Sequence, residues 1–148
     1  REHRALGHRT ILITGALSFN VEGLRPLFDE IVAAEMSIRP DNTYSGEMIT
    51  VPPTGEARAQ ILADYCDAEG FDLDECVAYA DSSSDLPLFE AVGFPVAVNP
   101  ETRLAAIARK RGWLVEHWSK ASGAPRRRLP IGPLLSERQR TQRFGVRA

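Results

Sequence analysis

The clearest sign of how this chain folds is a short apolar run, residues 76–80, that ends at Asp81. Three serines follow, and then Asp85 begins an amphipathic run that stops at Gly93. A short apolar run that passes through small polar residues into an amphipathic run is typical of a buried strand that leads into a helix. The pattern therefore predicts a strand–loop–helix unit that carries two carboxylates at its turn.

Strand and helix patterns alternate along the rest of the chain. We predict strands at 9–18, 31–38, 47–51, 76–80, 95–98 and 113–116, and helices at 21–30, 52–70, 85–92 and 101–112. The alternation after residue 76 favours a parallel sheet with helices on both faces, and the turn residues of 39–48 favour a β-hairpin. Ligands of such sheets bind beyond the carboxyl ends of the strands, and three of these ends are polar here: Thr14-Gly15, Asp81 and Asn99.

Asp81 and Asp85 are four residues apart across the predicted turn. This spacing can bring both carboxylates to the same side of the strand-to-helix turn. Two neighbouring carboxylates repel, so one pKa rises unless a cation neutralises them. Mg²⁺ suits such a site because it binds one or two carboxylates together with water and phosphate oxygens. Taken alone, Asp85 is more simply explained as a helix cap or first-turn acid. Asp81 is different, because a charge that ends a buried strand needs a partner.

Two further positions suit a phosphate group. Thr14 offers a hydroxyl at the predicted end of the first strand, and Gly15 permits close approach to free N–H groups. A strand end with a turn glycine explains this pair equally well. A dinucleotide-binding fingerprint is rejected because the next glycine is Gly23, which does not fit its spacing. Arg58 lies in the first turns of a predicted helix, against the helix dipole, so it either faces an anion or is an ordinary surface arginine.

The charge of the chain is unevenly distributed. Residues 125–148 carry seven arginines and one acid, a net charge of +6 within an overall −2. Such a segment binds nucleic acid or acidic lipid, or it is a solvated extension or linker. Its single aromatic residue, Phe144, gives no stacking pattern, so we expect an extension and no nucleic-acid partner. We therefore divide the chain into a body, 1–122, and a basic Arg/Pro-rich C-terminal extension, 123–148.

Three further features bear on where the protein is found and what it belongs to. No run approaches 18 apolar residues, so we expect no membrane span. Cys66 and Cys76 lack metal-site spacing, and we expect free thiols in a reducing cytoplasm. The chain begins at Arg1 without a Met, which suggests a domain of a longer polypeptide or a processed product.

Three of these elements, in this order, resemble the haloacid dehalogenase-like (HAD) hydrolase superfamily, most closely its phosphoserine-phosphatase-like branch. A strand ends in Thr within "ILITG", a basic residue opens a helix within "TGEARAQIL", and a strand ends in Asp-x-x-x-Asp within "YADSSSDLPLFEAVG". The likeness covers about residues 5–118. It implies a three-layer, Rossmann-like α/β core with a mainly parallel sheet and a small β-hairpin.

The resemblance also implies a role for each position. Thr14 would hydrogen-bond the transferring phosphoryl group with help from the Gly15 N–H, and Arg58 would stabilise its charge. Asp81 would ligate Mg²⁺, and Asp85 would complete or orient the metal shell. The implied activity is the Mg²⁺-dependent hydrolysis of a small phosphorylated substrate, achieved mainly by positioning and charge neutralisation.

Two positions depart from the family pattern. The family usually has lysine where Arg58 stands, and the forked arginine is not a neutral replacement. The family nucleophile is the first aspartate of an Asp-x-Asp that ends an earlier strand, whereas the only Asp-x-Asp here, at 72–74, precedes one. We therefore expect a core that is incomplete at its N-terminus, with the upstream domain of the same polypeptide as its partner.

The isolated chain is accordingly expected to be inactive, and a longer chain to be the enzyme. The alternative is a catalytically inactive HAD-like module for binding or assembly within a larger protein, such as a fusion of lipid metabolism. A phosphoacceptor domain of the receiver type, modified at Asp81, would need an acidic pair on the first strand, which "ILITG" lacks.

Overall fold

The computed structural model describes residues 1–119, which form a mixed α/β fold with open sheets. The strands of this part of the chain are β1 (Ile11–Leu17), β2 (Glu30–Ala34), β3 (Met36–Ile38), β4 (Tyr44–Met48), β5 (Val77–Ala80), β6 (Phe94–Val98) and β7 (Leu114–Glu116). Its α-helices are α1 (Glu2–Ala5), α2 (Ser18–Val21), α3 (Glu56–Glu69), α4 (Leu86–Ala91) and α5 (Thr102–Arg111). Three 3₁₀ segments complete it: Glu22–Leu27, Leu73–Glu75 and Ser83–Asp85.

The first sheet is a parallel pair, in which Ile11 of β1 lies opposite Glu30 of β2. A side-chain contact fastens the beginnings of the two strands. The backbone N–H and the hydroxyl of Thr10 both donate to the Asp29 carboxylate, at 2.8 and 2.7 Å. The Asp29 N–H in turn donates to the Thr10 carbonyl oxygen at 2.9 Å. The two chain segments are therefore held in register before the strands begin.

The connection between β1 and β2 differs from the predicted helix over 21–30. The chain forms one turn of α-helix, α2, and then the 3₁₀ segment Glu22–Leu27. Pro26 lies inside that segment and has no N–H to donate to a longer α-helix. The predicted strand over 31–38 is likewise divided, because β2 ends at Ala34 and the chain then enters a hairpin.

The hairpin pairs β3 with β4 in antiparallel register. Its turn contains Asn42 with a φ of 65°, a left-handed conformation that asparagine tolerates well. The Asp41 carboxylate accepts hydrogen bonds from the N–H and the hydroxyl of Thr43, at 3.0 and 2.6 Å. The predicted hairpin is thus confirmed, with its returning strand at Tyr44–Met48 instead of 47–51.

The second parallel sheet has the order β5-β6-β7, as the alternation of strands and helices predicts. One apolar core packs helices α3, α4 and α5 against it. Its buried members are Leu62 and Cys66 of α3, Ala78 of β5, Leu88 and Phe89 of α4, Val92, Ala97 of β6, and Leu104 and Ala108 of α5. Phe89 is 1% exposed and makes an edge-to-face contact with Trp113, which lies just before β7.

The two parallel sheets share this core but are not hydrogen-bonded to each other within residues 1–119. Ile11 and Ile13 of β1 and Ala80 of β5 all pack against the same apolar cluster. In the described chain, β1 pairs with β2 only and β5 pairs with β6 only. Each of these two strands therefore has one unpaired edge, and strand edges of this kind accept a further strand.

Two sequence predictions concern the extent of the chain. The boundary near residue 122 and the basic extension 123–148 lie outside the described residues. Within residues 1–119, no helix combines the length and the apolar character that crossing a membrane requires.

Candidate functional site

Thr14 lies where the pairing of β1 with β2 becomes irregular. β1 continues past Thr14 to Leu17, so the residue does not end the strand as the sequence predicts. The register between the strands shifts between Ile13 and Leu17. Within this stretch the Thr14 Oγ1 accepts a hydrogen bond from the Ala16 N–H at 3.1 Å. The hydroxyl proton of Thr14 stays available to an acceptor.

Gly15 allows β1 to approach the segment that leads into α3. A Cβ atom on Gly15 would lie 3.1 Å from the Thr54 Cγ2 and 3.7 Å from the Pro53 carbonyl oxygen. The first of these distances is shorter than a comfortable van der Waals contact. Glycine is therefore favoured here by space, because its φ lies outside the left-handed region.

The start of α3 holds Arg58 in place. α3 begins after Gly55, whose φ of 52° turns the chain sharply into the helix. The Arg58 Nε donates to the carbonyl oxygen of the buried Pro53 at 2.9 Å. Because Gly15 approaches the same carbonyl group, the residues predicted to contact phosphate, Thr14, Gly15 and Arg58, belong to adjoining segments.

Asp85 is the anion that faces Arg58. The Arg58 Nη1 donates to the Asp85 Oδ1 in a short ion pair. The Asp85 side chain is 2% exposed, and that of Arg58 is 22% exposed. A buried carboxylate is stable only when a cation or several hydrogen bonds compensate it. The pair therefore explains how Asp85 can be buried, and it joins α3 to the connection between β5 and α4.

Asp81 lies at the other end of that connection. It follows directly on β5 and its side chain is exposed. Its carbonyl oxygen accepts a hydrogen bond from the Glu101 N–H at 2.9 Å. The serines close the turn: the Ser82 Oγ accepts from the N–H and the hydroxyl of Ser84, at 3.3 and 3.1 Å. Asp81 and Asp85 therefore have different surroundings, one open to solvent and one buried.

Glu101 is a site neighbour that the sequence does not single out. Its Oε1 accepts a hydrogen bond from the Ser83 N–H at 2.7 Å. Hydrogen bonding to Ser83 lowers the pKa of Glu101 below its ordinary value. The sequence could have pointed to Glu101 as an acidic residue at the N-cap of α5, just after the end of the neighbouring strand β6. Such a residue lies at the same edge of a parallel sheet as Asp81.

The donor atoms of this site suit a hard cation and a phosphate group. The Thr14 hydroxyl comes from β1, the Arg58 guanidinium from the start of α3, and the carboxylates of Asp81 and Asp85 from the residues after β5. Within residues 1–119, no set of three or more His, Cys, Asp or Glu side chains is close enough to form a complete metal site.

The chain is similar in sequence to a family of hydrolases and to several phosphatases. The sequence profile of the haloacid dehalogenase-like hydrolase family matches residues 1–90. A probable phosphatase of Mycobacterium tuberculosis is 35% identical over 120 residues, which cover 80% of this chain and 41% of the relative. A phosphoserine phosphatase of the same organism is 34% identical over 90 residues, or 61% of this chain and 29% of the relative.

A solved structure extends the likeness to the fold. A Bordetella pertussis Tohama I protein of unknown function superimposes with a TM-score of 0.69 at 30% identity. The match covers 78% of this chain and 54% of that protein. The chain thus spans less than half of the two M. tuberculosis relatives and about half of this structure.

Proposed function

The chain belongs to the haloacid dehalogenase-like hydrolase family, in its phosphoserine-phosphatase-like branch, and from that premise we propose that it is the larger part of the catalytic core of a Mg²⁺-dependent phosphomonoester hydrolase. The substrate class is a small phosphorylated molecule, in keeping with the phosphatases among its relatives. The proposed compartment is the cytoplasm, because both described cysteines are free thiols.

The observation that carries this proposal is the convergence of three distant segments on one carbonyl group and one ion pair. Gly15 and Arg58 both approach the Pro53 carbonyl oxygen, and Arg58 is paired with Asp85. A Cβ atom on Gly55 would in turn lie 3.7 Å from the Ser84 carbonyl oxygen. The part of β1 around Gly15, the start of α3 and the residues after β5 thus adjoin one another, which is the arrangement that phosphoryl transfer by positioning requires.

Three residues of this chain are proposed to contact the phosphoryl group. The Thr14 hydroxyl and the Gly15 N–H bind phosphoryl oxygens. Arg58 uses its Nε and one Nη1 hydrogen for Pro53 and Asp85, and a guanidinium group has five N–H donors in all. Its remaining donors are proposed to hold the negative charge that develops on the phosphoryl group.

The residues present fit Mg²⁺. Asp81 offers an exposed carboxylate, and Asp85 keeps one carboxylate oxygen that Arg58 does not use in the ion pair. Mg²⁺ binds one or two carboxylates and fills the rest of its octahedral shell with water and phosphate oxygens. When bound, the ion would neutralise charge on the phosphoryl group. Asp85 is proposed to orient the shell, because its burial fixes the position of its oxygens.

The nucleophile is proposed to come from the polypeptide upstream of Arg1. The family pattern requires an Asp-x-Asp at the end of a strand, whereas here Asp72 is the N-cap of the 3₁₀ segment that precedes β5 and Asp74 lies within it. The Asp72 carboxylate accepts from the Asp74 N–H at 3.0 Å, as a capping residue does. The unpaired edges of β1 and β5 support a strand between them, which would bring its carboxylate beside Thr14 and Asp81.

The test compares this chain with the longer polypeptide that includes the upstream segment. We expect the longer protein to hydrolyse a generic phosphomonoester with Mg²⁺ and to lose this activity with a chelator. We expect the 148-residue chain alone to show no turnover. Arg58→Met and Asp81→Asn should each lower kcat/KM of the longer protein by at least about a hundredfold. Magnesium-dependent turnover by the 148-residue chain alone contradicts the proposal.

A second candidate is an inactive module for binding or assembly, and one observation favours it. Arg58 stands where the family usually has lysine, and it is already engaged by Pro53 and Asp85. The same experiment separates the two functions. A longer polypeptide that folds and binds Mg²⁺ but hydrolyses no phosphomonoester supports the inactive module, and the variant Arg58→Lys then shows whether the lysine restores turnover.

A further inference from the structure

We propose that Glu101 is a positioning residue that fixes the segment from Asp81 to Ser84 and thereby sets the geometry of the metal-binding carboxylate. This inference deepens the proposed function and rests on it. Glu101 contacts the segment twice: its N–H donates to the Asp81 carbonyl oxygen, and its carboxylate accepts from the Ser83 N–H. The two contacts flank Ser82, so the turn after β5 is held on both sides by one residue.

Among the described residues, the other hydrogen bonds within the turn are local, and the Arg58–Asp85 pair holds its far end. The Ser84 N–H donates to the Ser82 side chain, and the Asp85 N–H donates to the Ser82 carbonyl oxygen at 3.1 Å. These bonds shape the turn but do not fix its position relative to the rest of the fold. Glu101 lies on the neighbouring strand-to-helix connection, and it therefore ties the turn to the next unit of the sheet.

Glu101 is itself held by the end of the chain's last described strand. Asn99, two residues earlier, has a φ of 44°, the left-handed conformation that asparagine tolerates, and its contacts hold it in place. Its side chain donates to the Trp118 carbonyl oxygen at 2.9 Å and accepts from the Trp118 N–H at 3.0 Å. Its own N–H donates to the Glu116 carbonyl oxygen at 2.8 Å. The connection that carries Glu101 is therefore fixed to the segment after β7.

In known metal sites, residues that do not touch the metal hydrogen-bond to its ligands and orient them, and Glu101 is proposed to act in this way. A ligand on a flexible turn binds a metal weakly because ordering the turn opposes binding, and outer hydrogen bonds remove part of that penalty. Asp81 is exposed, whereas Asp85 is buried. Glu101 restrains the backbone on which the Asp81 carboxylate is mounted.

The experiment uses the longer polypeptide and three substitutions at one position. Glu101→Ala removes the acceptor, Glu101→Asp keeps the charge and the capping preference but shortens the side chain, and Glu101→Gln keeps an acceptor oxygen without the charge. Glu90→Ala, on α4, removes an exposed carboxylate that pairs with Arg111 and is the matched control. Mg²⁺ affinity is measured by calorimetry, and amide hydrogen exchange at Ser83 is measured in metal-free protein.

We expect Glu101→Ala and Glu101→Asp to weaken Mg²⁺ binding, the former on the order of tenfold, and to speed exchange at the Ser83 amide. Glu101→Gln should stay within about twofold of the parent in both measurements, because the acceptor oxygen is retained. Glu90→Ala should change neither. Thermal unfolding of each variant shows that it is folded.

Three outcomes overturn the inference. Unchanged Ser83 exchange in Glu101→Ala shows that the carboxylate does not hold the turn. Faster exchange with unchanged Mg²⁺ affinity shows a structural role only. Equal losses in Glu101→Gln and Glu101→Ala show that charge, and not the hydrogen bond, is what the site uses. A parent polypeptide that binds no Mg²⁺ instead contradicts the proposed function, and the exchange data still decide whether Glu101 holds the turn.

Discussion

Arg58 of α3 and Asp85, 27 residues later in the chain, form an ion pair that is almost closed to solvent on the carboxylate side. The pair connects the helix that follows the hairpin to the helix that follows β5. It gives both residues a structural task in addition to the chemistry proposed for them. Substitutions at either position therefore change folding stability as well as activity, and the two effects are measured separately.

Replacing Arg58 should destabilise the fold strongly. Arg58→Met leaves the buried Asp85 carboxylate without its cation, and breaking a buried pair in this way costs about 3 kcal/mol of unfolding free energy. Arg25→Met is the matched control, because Arg25 pairs with Glu22 on the surface, where both side chains are 61% exposed, and such pairs contribute less than about 1 kcal/mol. Urea unfolding at neutral pH measures both changes. Equal changes in the two variants would show that the Asp85 charge is not buried.

Gly93 should tolerate no side chain. A Cβ atom there would overlap the carbonyl group of Asp74 and would lie 3.0 Å from the Asp74 Cα. The neighbouring backbone has little freedom to move, because the Gly93 N–H donates to the Leu73 carbonyl oxygen at 3.1 Å. We expect Gly93→Ala to lower the unfolding free energy by roughly 2–4 kcal/mol. Gly23→Ala is the control, since a Cβ atom on Gly23 meets nothing within 4 Å.

Much of the fold follows from local sequence patterns. Apolar strands that end at polar residues, and helices that end at Gly70 and Gly112, are evident from the sequence, and both glycines adopt left-handed conformations. The prediction is wrong where residues favour a short element instead of a long one. Pro26 shortens the predicted helix over 21–30, and the predicted strand over 31–38 is divided as the chain enters the hairpin.

The candidate site is only partly predictable from the sequence. The sequence leaves open whether Arg58 faces an anion or solvent, and its pairing with Asp85 depends on how α3 packs against the residues after β5. Glu101 is missed because its role is a contact between two connections, 18 residues apart, that no local pattern encodes. The separation of the two parallel sheets could not be predicted either, because it depends on which strand edges meet in the folded chain.

The contact between Thr10 and Asp29 should make the stability of the first sheet depend on pH. Hydrogen bonding from Thr10 lowers the pKa of Asp29 below its ordinary 3.8. An acid with a lowered folded-state pKa stabilises the fold above its unfolded pKa and loses this effect as the pH falls through the folded pKa. Thr10→Val should therefore reduce the unfolding free energy by about 1 kcal/mol at neutral pH, and the difference from the parent should shrink in acid.

Urea unfolding at neutral pH and again well below pH 3.8 tests this dependence. Thr43→Val is the matched control, because Thr43 makes the same two contacts with Asp41 in the exposed turn of the hairpin. Water replaces a lost hydrogen bond readily there, so its effect should be smaller at neutral pH. A Thr10→Val deficit that is equally large in acid would show that the hydrogen bond to ionised Asp29 is not its source.

The two cysteine thiols should be nearly unreactive in the folded protein. Burial is the main cause that raises the pKa of Cys76 from 9.0 to about 12, and burial also raises the pKa of Cys66. The thiolate is the reactive form. A Cys76 pKa of about 12 instead of 9.0 therefore lowers the reaction rate at pH 8 by roughly a thousandfold. We expect iodoacetamide to modify Cys76 more slowly in the native protein than in urea, by a factor on the order of a thousand.

The variant Cys66→Ala separates the two causes of this protection. The two sulfur atoms are 3.6 Å apart, and Cys66 also raises the pKa of Cys76, but by less than burial does. Cys76 should therefore stay slow to react when Cys66 is absent. A native labelling rate within tenfold of the rate in urea would show that Cys76 is exposed often enough to ionise, and that the core between α3 and β5 opens readily. Protection that is lost only in Cys66→Ala would show that the neighbouring thiol, and not burial, suppresses ionisation.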